Sequence, residues 1–207
     1  RAADAQAQSN AAKVSIAVTA VFPAPAVAVV RVEPAIEGAT TSVRISLASK
    51  EFPQLAVNID WGNGSPDLDL PAATTGMLVI SHAFPDDSPN GGYVVTVLAT
   101  DARGLTAMRQ ARAVVANAIP AGLAVDVSTA MVTVPYSARL LGVDVPADTI
   151  SWAKVSGPAW LSMTSAGQLS GTPQASDLGT STLTVTASDE DGGTATKAIP
   201  ITVRPFN

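Results

Sequence analysis

Apolar residues recur at every second position in one short run after another, and this alternation limits what the chain can fold into more than any other feature. Val43, Ile45 and Leu47 form one such set, Val57, Ile59 and Trp61 a second, and Tyr93, Val95, Val97 and Ala99 a third. Successive side chains of a strand point to opposite faces, so each run has one face to bury and one to wet. No helical period of useful length occurs. Turn chemistry separates the runs: Gly62-Asn63-Gly64-Ser65-Pro66, the stretch from Pro85 to Gly92, and Ala102-Arg103-Gly104. Such residues supply positive φ, a fixed φ or a local side-chain hydrogen bond, and each reverses the chain. The pattern predicts an all-β protein.

An internal repeat turns this into a domain organisation. Asp101 to Val115 aligns without gaps on Asp189 to Val203, and upstream the inward set Val95, Val97, Ala99 matches Leu183, Val185, Ala187. Repetition of this kind argues for an array of similar modules. Three alternating runs, at 13–25, 108–120 and 196–207, each run into a proline at or near the end, which cannot continue a ladder. The boundaries fall near Pro25 and Pro120, and the 207 residues suit two sandwiches of about 100 residues each. The division read from the sequence is a tail and orphan strand over 1–24, a first module over 25–117 and a second over 118–207.

Aromatics make up only 4% of a chain that is 47% hydrophobic, so the cores must be built from Val, Ala, Leu and Ile. A net charge of −5 leaves no basic stripe for phosphate backbones, which argues against a nucleic-acid partner. The absence of cysteine excludes disulfides, thiolate metal sites and cysteine nucleophiles, and leaves the compartment open. Val14 to Val30 carries no charge, yet it is short, alanine-rich and broken by Pro23 and Pro25, so no membrane span is expected.

The first module resembles the PKD (polycystic kidney disease) repeat. The resemblance rests on Ile59-Asp60-Trp61-Gly62-Asn63-Gly64, on His82-Ala83-Phe84, and on Gly92-Tyr93-Val94-Val95-Thr96-Val97 through Asp101 and Gly104. Ile59 and Asn63 depart from the family's usual Trp and Asp, and the second change removes an acidic group from that turn. The second module is similar to the Putative-Ig or dystroglycan-type cadherin-like repeat. Its carriers are Gly157-Pro158-Ala159-Trp160-Leu161-Ser162, then Gly167-Gln168-Leu169-Ser170-Gly171-Thr172-Pro173, then Thr182 to Gly193. The two resemblances imply tandem immunoglobulin-like β-sandwiches in a secreted or cell-surface setting, and the alternating run before them adds an extra N-terminal strand.

Candidate chemistry is sparse. His82 is the only histidine, which rules out a histidine metal cluster, and it falls on the structural H-x-Y strand of the resemblance. Asp67 and Asp69 alternate on one face as a glycosidase pair would, but they follow a Gly- and Pro-rich turn and read as solvated carboxylates. Calcium is the one cofactor with a candidate site, at Asp189, Glu190 and Asp191, although a hard cation needs about 6–8 oxygens and one turn seldom supplies them. The linker Ala116-Asn117-Ala118-Ile119-Pro120 has no carboxylate, so an inter-module site is not expected. Trp61, Trp152 and Trp160 read as core residues, with Trp61 and Tyr93 buried in module one and Trp160, Leu169 and Val185 in module two.

These features predict a structural or adhesive module, not an enzyme, of an extracellular bacterial-type surface protein or filament. Its expected partners are neighbouring copies or adjacent modules, with carbohydrate or another surface protein as further candidates. The alternative is an accessory spacer or carbohydrate-binding module of a secreted multidomain enzyme. The alternating run from Lys13 to Phe22 has no module of its own. Either it is the remnant of an upstream module, or it adds to a neighbour's sheet edge through Val14, Ile16 and Val18.

Overall fold

The computed structural model describes residues 23–89 and 91–206. Nine strands build module one: β1 (Ala26–Val32), β2 (Ala35–Ile36), β3 (Thr40–Ala48), β4 (Gln54–Asp60), β5 (Leu68–Thr74), β6 (Gly76–Ala83), β7 (Tyr93–Thr100), β8 (Thr106–Ala113) and β9 (Val115–Ala116). They form sheets ordered β1-β3-β6 and β5-β4-β7-β8, with β2 and β9 paired beside them. Module two contains β10 (Ala121–Val125), β11 (Thr129–Met131), β12 (Tyr136–Val143), β13 (Ser151–Ser156), β14 (Leu161–Met163), β15 (Gln168–Gly171), β16 (Gly179–Ser188) and β17 (Thr194–Arg204). Its sheets are ordered β10-β12-β15-β14 and β11-β17-β16-β13. The architecture is two all-β, immunoglobulin-like sandwiches in tandem. Among the described residues, no helix is long and apolar enough to cross a membrane.

The alternation in the sequence becomes the inner face of each sheet. Val43, Ile45 and Leu47 of β3, Leu55, Val57 and Ile59 of β4, and Val95, Val97 and Ala99 of β7 all enter one core, closed by Phe84 and Trp61. The repeated hairpin keeps its register: β7–β8 pairs Val95 with Ala111 and Val97 with Arg109, and β16–β17 pairs Leu183 with Ile199 and Val185 with Lys197. Each module also pairs an early short strand in parallel with its last strand, Ala35 beside Val115 and Ala130 beside Val203. They differ in the strand added to this frame. In module one β5 extends the sheet through β4, whereas in module two β14 extends the opposite sheet through β15.

Two aromatic expectations are corrected. Tyr93 is half-buried because it caps the corner before β7, where its hydroxyl donates to the Asp87 carbonyl at 2.6 Å. Trp160 is also half-buried, because it lies in the bend between β13 and β14 and not on a strand face. The tryptophan that fills module two is Trp152, 8% exposed, on the inward face of β13. Room for its indole comes from two glycines: a Cβ at Gly142 would lie 3.1 Å from Trp152 Cζ2, and one at Gly167 would lie 3.0 Å from its Cδ1. Leu169 and Val185 are fully buried, as expected. The run from Lys13 to Phe22, with Val14, Ile16 and Val18, lies outside the described residues.

Candidate functional site at the junction between the modules

The same tight turn closes the β7–β8 and β16–β17 hairpins, and in both an aspartate organises it. Asp101 Oδ1 accepts from the backbone N–H groups of Arg103 and Leu105, at 2.9 and 3.0 Å, and the Asp101 N–H donates to the Leu105 carbonyl at 2.9 Å. Asp189 Oδ1 accepts from Asp191 and Gly193 at 3.1 and 2.7 Å, and its N–H donates to the Gly193 carbonyl at 3.1 Å. Both side chains are buried, so the second carboxylate oxygen also needs a partner. In module one the Arg103 guanidinium takes it, at 2.8 Å. Burial raises the Asp101 carboxyl, but the Arg103 hydrogen bond, the Leu105 and Arg103 N–H groups and the Arg103 charge together hold it below the usual carboxylate range. In module two Asp191 stands where Arg103 would, and the partner of Asp189 Oδ2 is the amide of Asn117 in the linker, at 3.1 Å.

This exchange of a cation for an anion sits where the modules meet. From module one come Glu37, in the turn between β2 and β3, and Asp86 and Asp87, in the loop between β6 and β7. From module two come Asp144 and Asp148, between β12 and β13, and the Asp189 turn. Carboxylate oxygens of Glu37, Asp86 and Asp148 lie within 4.8 Å of one another, as do those of Asp86, Asp87 and Asp191, and those of Asp144, Asp148 and Asp189. Seven carboxylates thus share one small region, more negative charge than the chain's net −5. The ion pairs among the described residues, Arg31–Glu33, Arg44–Glu33 and Arg103–Asp101, all lie elsewhere. Two like charges 4 Å apart repel by about 4 kcal/mol at an effective dielectric constant of 20.

Several of these groups are also dehydrated. Glu37 is 2% exposed; its Oε1 accepts from the Ala118 N–H of the linker at 2.6 Å, and its Oε2 has no hydrogen-bond partner among the described residues. Both oxygens of Asp148, Oδ2 of Asp144 and Oδ1 of Asn117 are buried and equally unpartnered. Burial first, and then the charges of Glu37, Asp144, Asp191 and Asp189, push the Asp148 carboxyl up to about 6. Glu37 is raised by burial, against the opposing backbone N–H groups of Ala118 and Asp87 and with the Asp87 and Asp86 charges, and Asp191 by desolvation and then by Asp87 and Asp86. Gly193 completes the arrangement, since a Cβ there would collide with the Asp189 carboxylate and lie 3.0 Å from Asn117 Nδ2.

The three acids anticipated as a calcium turn, Asp189, Glu190 and Asp191, each make different contacts. Asp189 is held by its own turn and by Asn117, and Asp191 faces Asp86 and Asp87. Glu190 turns away to accept from the Thr149 hydroxyl and, at 3.3 Å, from its N–H. Sequence reasoning missed Glu37, Asp86, Asp87, Asp144 and Asp148, and missed that the linker amide of Asn117 reaches the Asp189 carboxylate. The other sequence candidates are structural. His82 stacks on Trp61 at 3.9 Å between centroids and meets the Phe84 ring edge-on, and burial lowers its pKa. Asp67 and Asp69 are exposed and share the Asn58 amide, at 3.2 and 2.9 Å.

Comparison with known proteins adds one family. The family described as Putative Ig domain matches residues 130–204, inside module two and less than half of the chain. No curated protein matches the sequence. Similar solved structures include titin domains Z1Z2 in complex with telethonin, at 16% identity and a TM-score of 0.38 over 91% of this chain and 100% of that one. Titin domains A168–A170 are similar at 14% identity and a TM-score of 0.48, over 87% of this chain and 66% of theirs. The ectodomain of mouse nectin-like molecule 4 gives 17% identity and 0.38, over 88% and 65%. The strand pairing and the family match together identify module two as an Ig-like domain within a tandem of two immunoglobulin-like β-sandwiches.

Proposed function

We propose that the chain is a non-catalytic structural or adhesive unit of an extracellular bacterial-type surface protein or filament. The observation that carries this reading is the built junction. Loops from the facing ends of both modules meet there, the linker amide Asn117 is bonded to module two, and the linker N–H of Ala118 is bonded to module one. A pair joined in this way transmits position and force from one sandwich to the next, which is what a spacer or repeating subunit requires. The motif residues around Trp61, His82 and Phe84 pack together in module one and support a PKD-type assignment for it. The accessory-module alternative has less support, because Trp61 and Trp152 are core residues and Trp160 is half-buried, which leaves them poorly placed to stack on sugar.

Joining of copies is assigned to the run from Lys13 to Phe22, with Val14, Ile16 and Val18 as the side chains that fill a neighbour's pockets. A receptive edge exists on β6, which pairs with β3 on one side only among the described strands and carries Met77, 62% exposed, and the exposed Val79. Strand addition gives affinity through main-chain hydrogen bonds, and a head-to-tail contact that does not close gives a filament. Electron microscopy of the full chain beside a version lacking residues 1–22 tests this. Filaments lost on deletion support strand donation, and monodisperse particles in both samples refute it. A hydrolase or lyase activity abolished by one carboxylate substitution would overturn the non-catalytic reading.

A further inference from the structure

We propose that the junction between the two modules is a calcium site, centred on Asp148 and shared with Glu37 and Asp86 of module one. Clustered carboxylates alone do not make a site, since exposed acids are readily solvated. Here a second observation points to a ligand. The Glu37 side chain is 2% exposed, reaches within 4.8 Å of oxygens of Asp86 and Asp148, and leaves Oε2 unpartnered. Both Asp148 oxygens are likewise buried without a partner. Buried polar atoms are almost always satisfied, and a buried charge persists only when it is paired or binds a metal.

The donor set selects the ion. Every candidate donor at the junction is a carboxylate or amide oxygen, whereas His82 is stacked on Trp61 of module one and the chain has no cysteine, which disfavours transition metals. Calcium accepts about 6–8 oxygens in flexible geometry, including amide oxygens, and Asn117 Oδ1 is buried and unpartnered beside the carboxylates. Magnesium demands a tighter octahedron and keeps several waters, which suits loops from two domains less well. Asp144 and Asp148 also line a groove of about 530 Å³ along the end of β12, which gives the ion a path from solvent. The linkage has a functional consequence: an ion bound by loops of both modules fixes their relative orientation, and its removal leaves like charges facing one another across the joint. The equivalent turn of module one carries Arg103 against Asp101, a built-in cation that has no counterpart at the Asp189 turn, where Asp191 stands in its place.

Calorimetric titration of the full 207-residue chain with calcium chloride, after chelator treatment at pH 7.5, tests the proposal. The expected dissociation constant is on the order of 0.1–1 mM or tighter, the range of extracellular calcium modules, with magnesium binding more weakly. Glu37→Gln and Asp148→Asn should each weaken binding by about tenfold or more, since even outer-shell changes cost that much. Glu51→Gln, an exposed acid in module one, should leave it unchanged. Circular dichroism without calcium checks that each variant is folded. If a variant is unfolded, thermal melts of the wild type decide the matter: calcium should raise the unfolding temperature, and no shift overturns the site. Absence of binding heat in the wild type also overturns it. Binding that survives Glu37→Gln and Asp148→Asn but is lost in Asp191→Asn places the ion on the Asp86, Asp87 and Asp191 group, and overturns a site centred on Asp148.

Discussion

Replacing Trp152 by alanine removes the largest ring of the module-two core, and its cost follows from the packing. A buried tryptophan withdraws about 150–250 Å² from water, and the 8% exposure of Trp152 puts it near the upper end. At roughly 25 cal/mol per Å² this is worth about 4–6 kcal/mol, which a compact unfolded state reduces by about 10–40% to about 3–5 kcal/mol. Large-to-small core changes of this kind fall in the same range, about 3–5 kcal/mol. A domain is stable by only about 5–15 kcal/mol, so the change consumes a large part of the margin. With about 4–8 °C per kcal/mol for a domain of this size, scanning calorimetry should find a drop of roughly 12–40 °C in the module-two transition. Trp160→Ala, at a half-buried bend, should cost less than half as much. The reasoning is refuted if Trp152→Ala costs under about 1 kcal/mol, or if Trp160→Ala proves the more damaging of the two.

Other consequences are smaller and equally direct. Gly193→Ala forces a Cβ into the Asp189 carboxylate and the Asn117 amide, and urea denaturation should find a loss of about 1–3 kcal/mol. Tyr93→Phe removes the hydroxyl that holds the Asp87 carbonyl and should cost about 1 kcal/mol in the same assay. Asp101 titrates below its unfolded value, so its contribution is present above about pH 4 and disappears as pH falls through the folded pKa. Arg103→Ala raises that folded pKa, and acid titration followed by circular dichroism should place the loss of module one at higher pH than in the wild type.

The strands were legible because each is half-buried, and alternation reports a buried face directly. Val43, Ile45 and Leu47 point inward for that reason, and the two copies of one hairpin carry their register on matching residues. Trp160 was misread because Gly157-Pro158-Ala159 marks a bend, and burial in a bend depends on what packs over it and not on period. The junction was illegible for a different cause. Glu37, Asp86, Asp148 and Asp189 are scattered over four loops, and only the sandwich topology brings the trailing loops of one module to the leading loops of the next. The available signal was the acid pair Asp144 and Asp148, close in sequence and placed between two strands, in a module whose hairpin turn also carries acids. A linker read for carboxylates alone hid the amide of Asn117.

Whether the joint is locked by an ion shared between the modules can be measured on single molecules. The chain has no cysteine, so Lys50→Cys in module one and Ser176→Cys in module two provide two unique dye positions on exposed residues. Energy transfer between them reports the spread of inter-module orientations. The account predicts a narrow distribution in millimolar calcium that broadens when chelator is added, and a distribution that stays broad with calcium once Asp148→Asn is introduced. A distribution that is the same with calcium, with chelator and in the variant would contradict it.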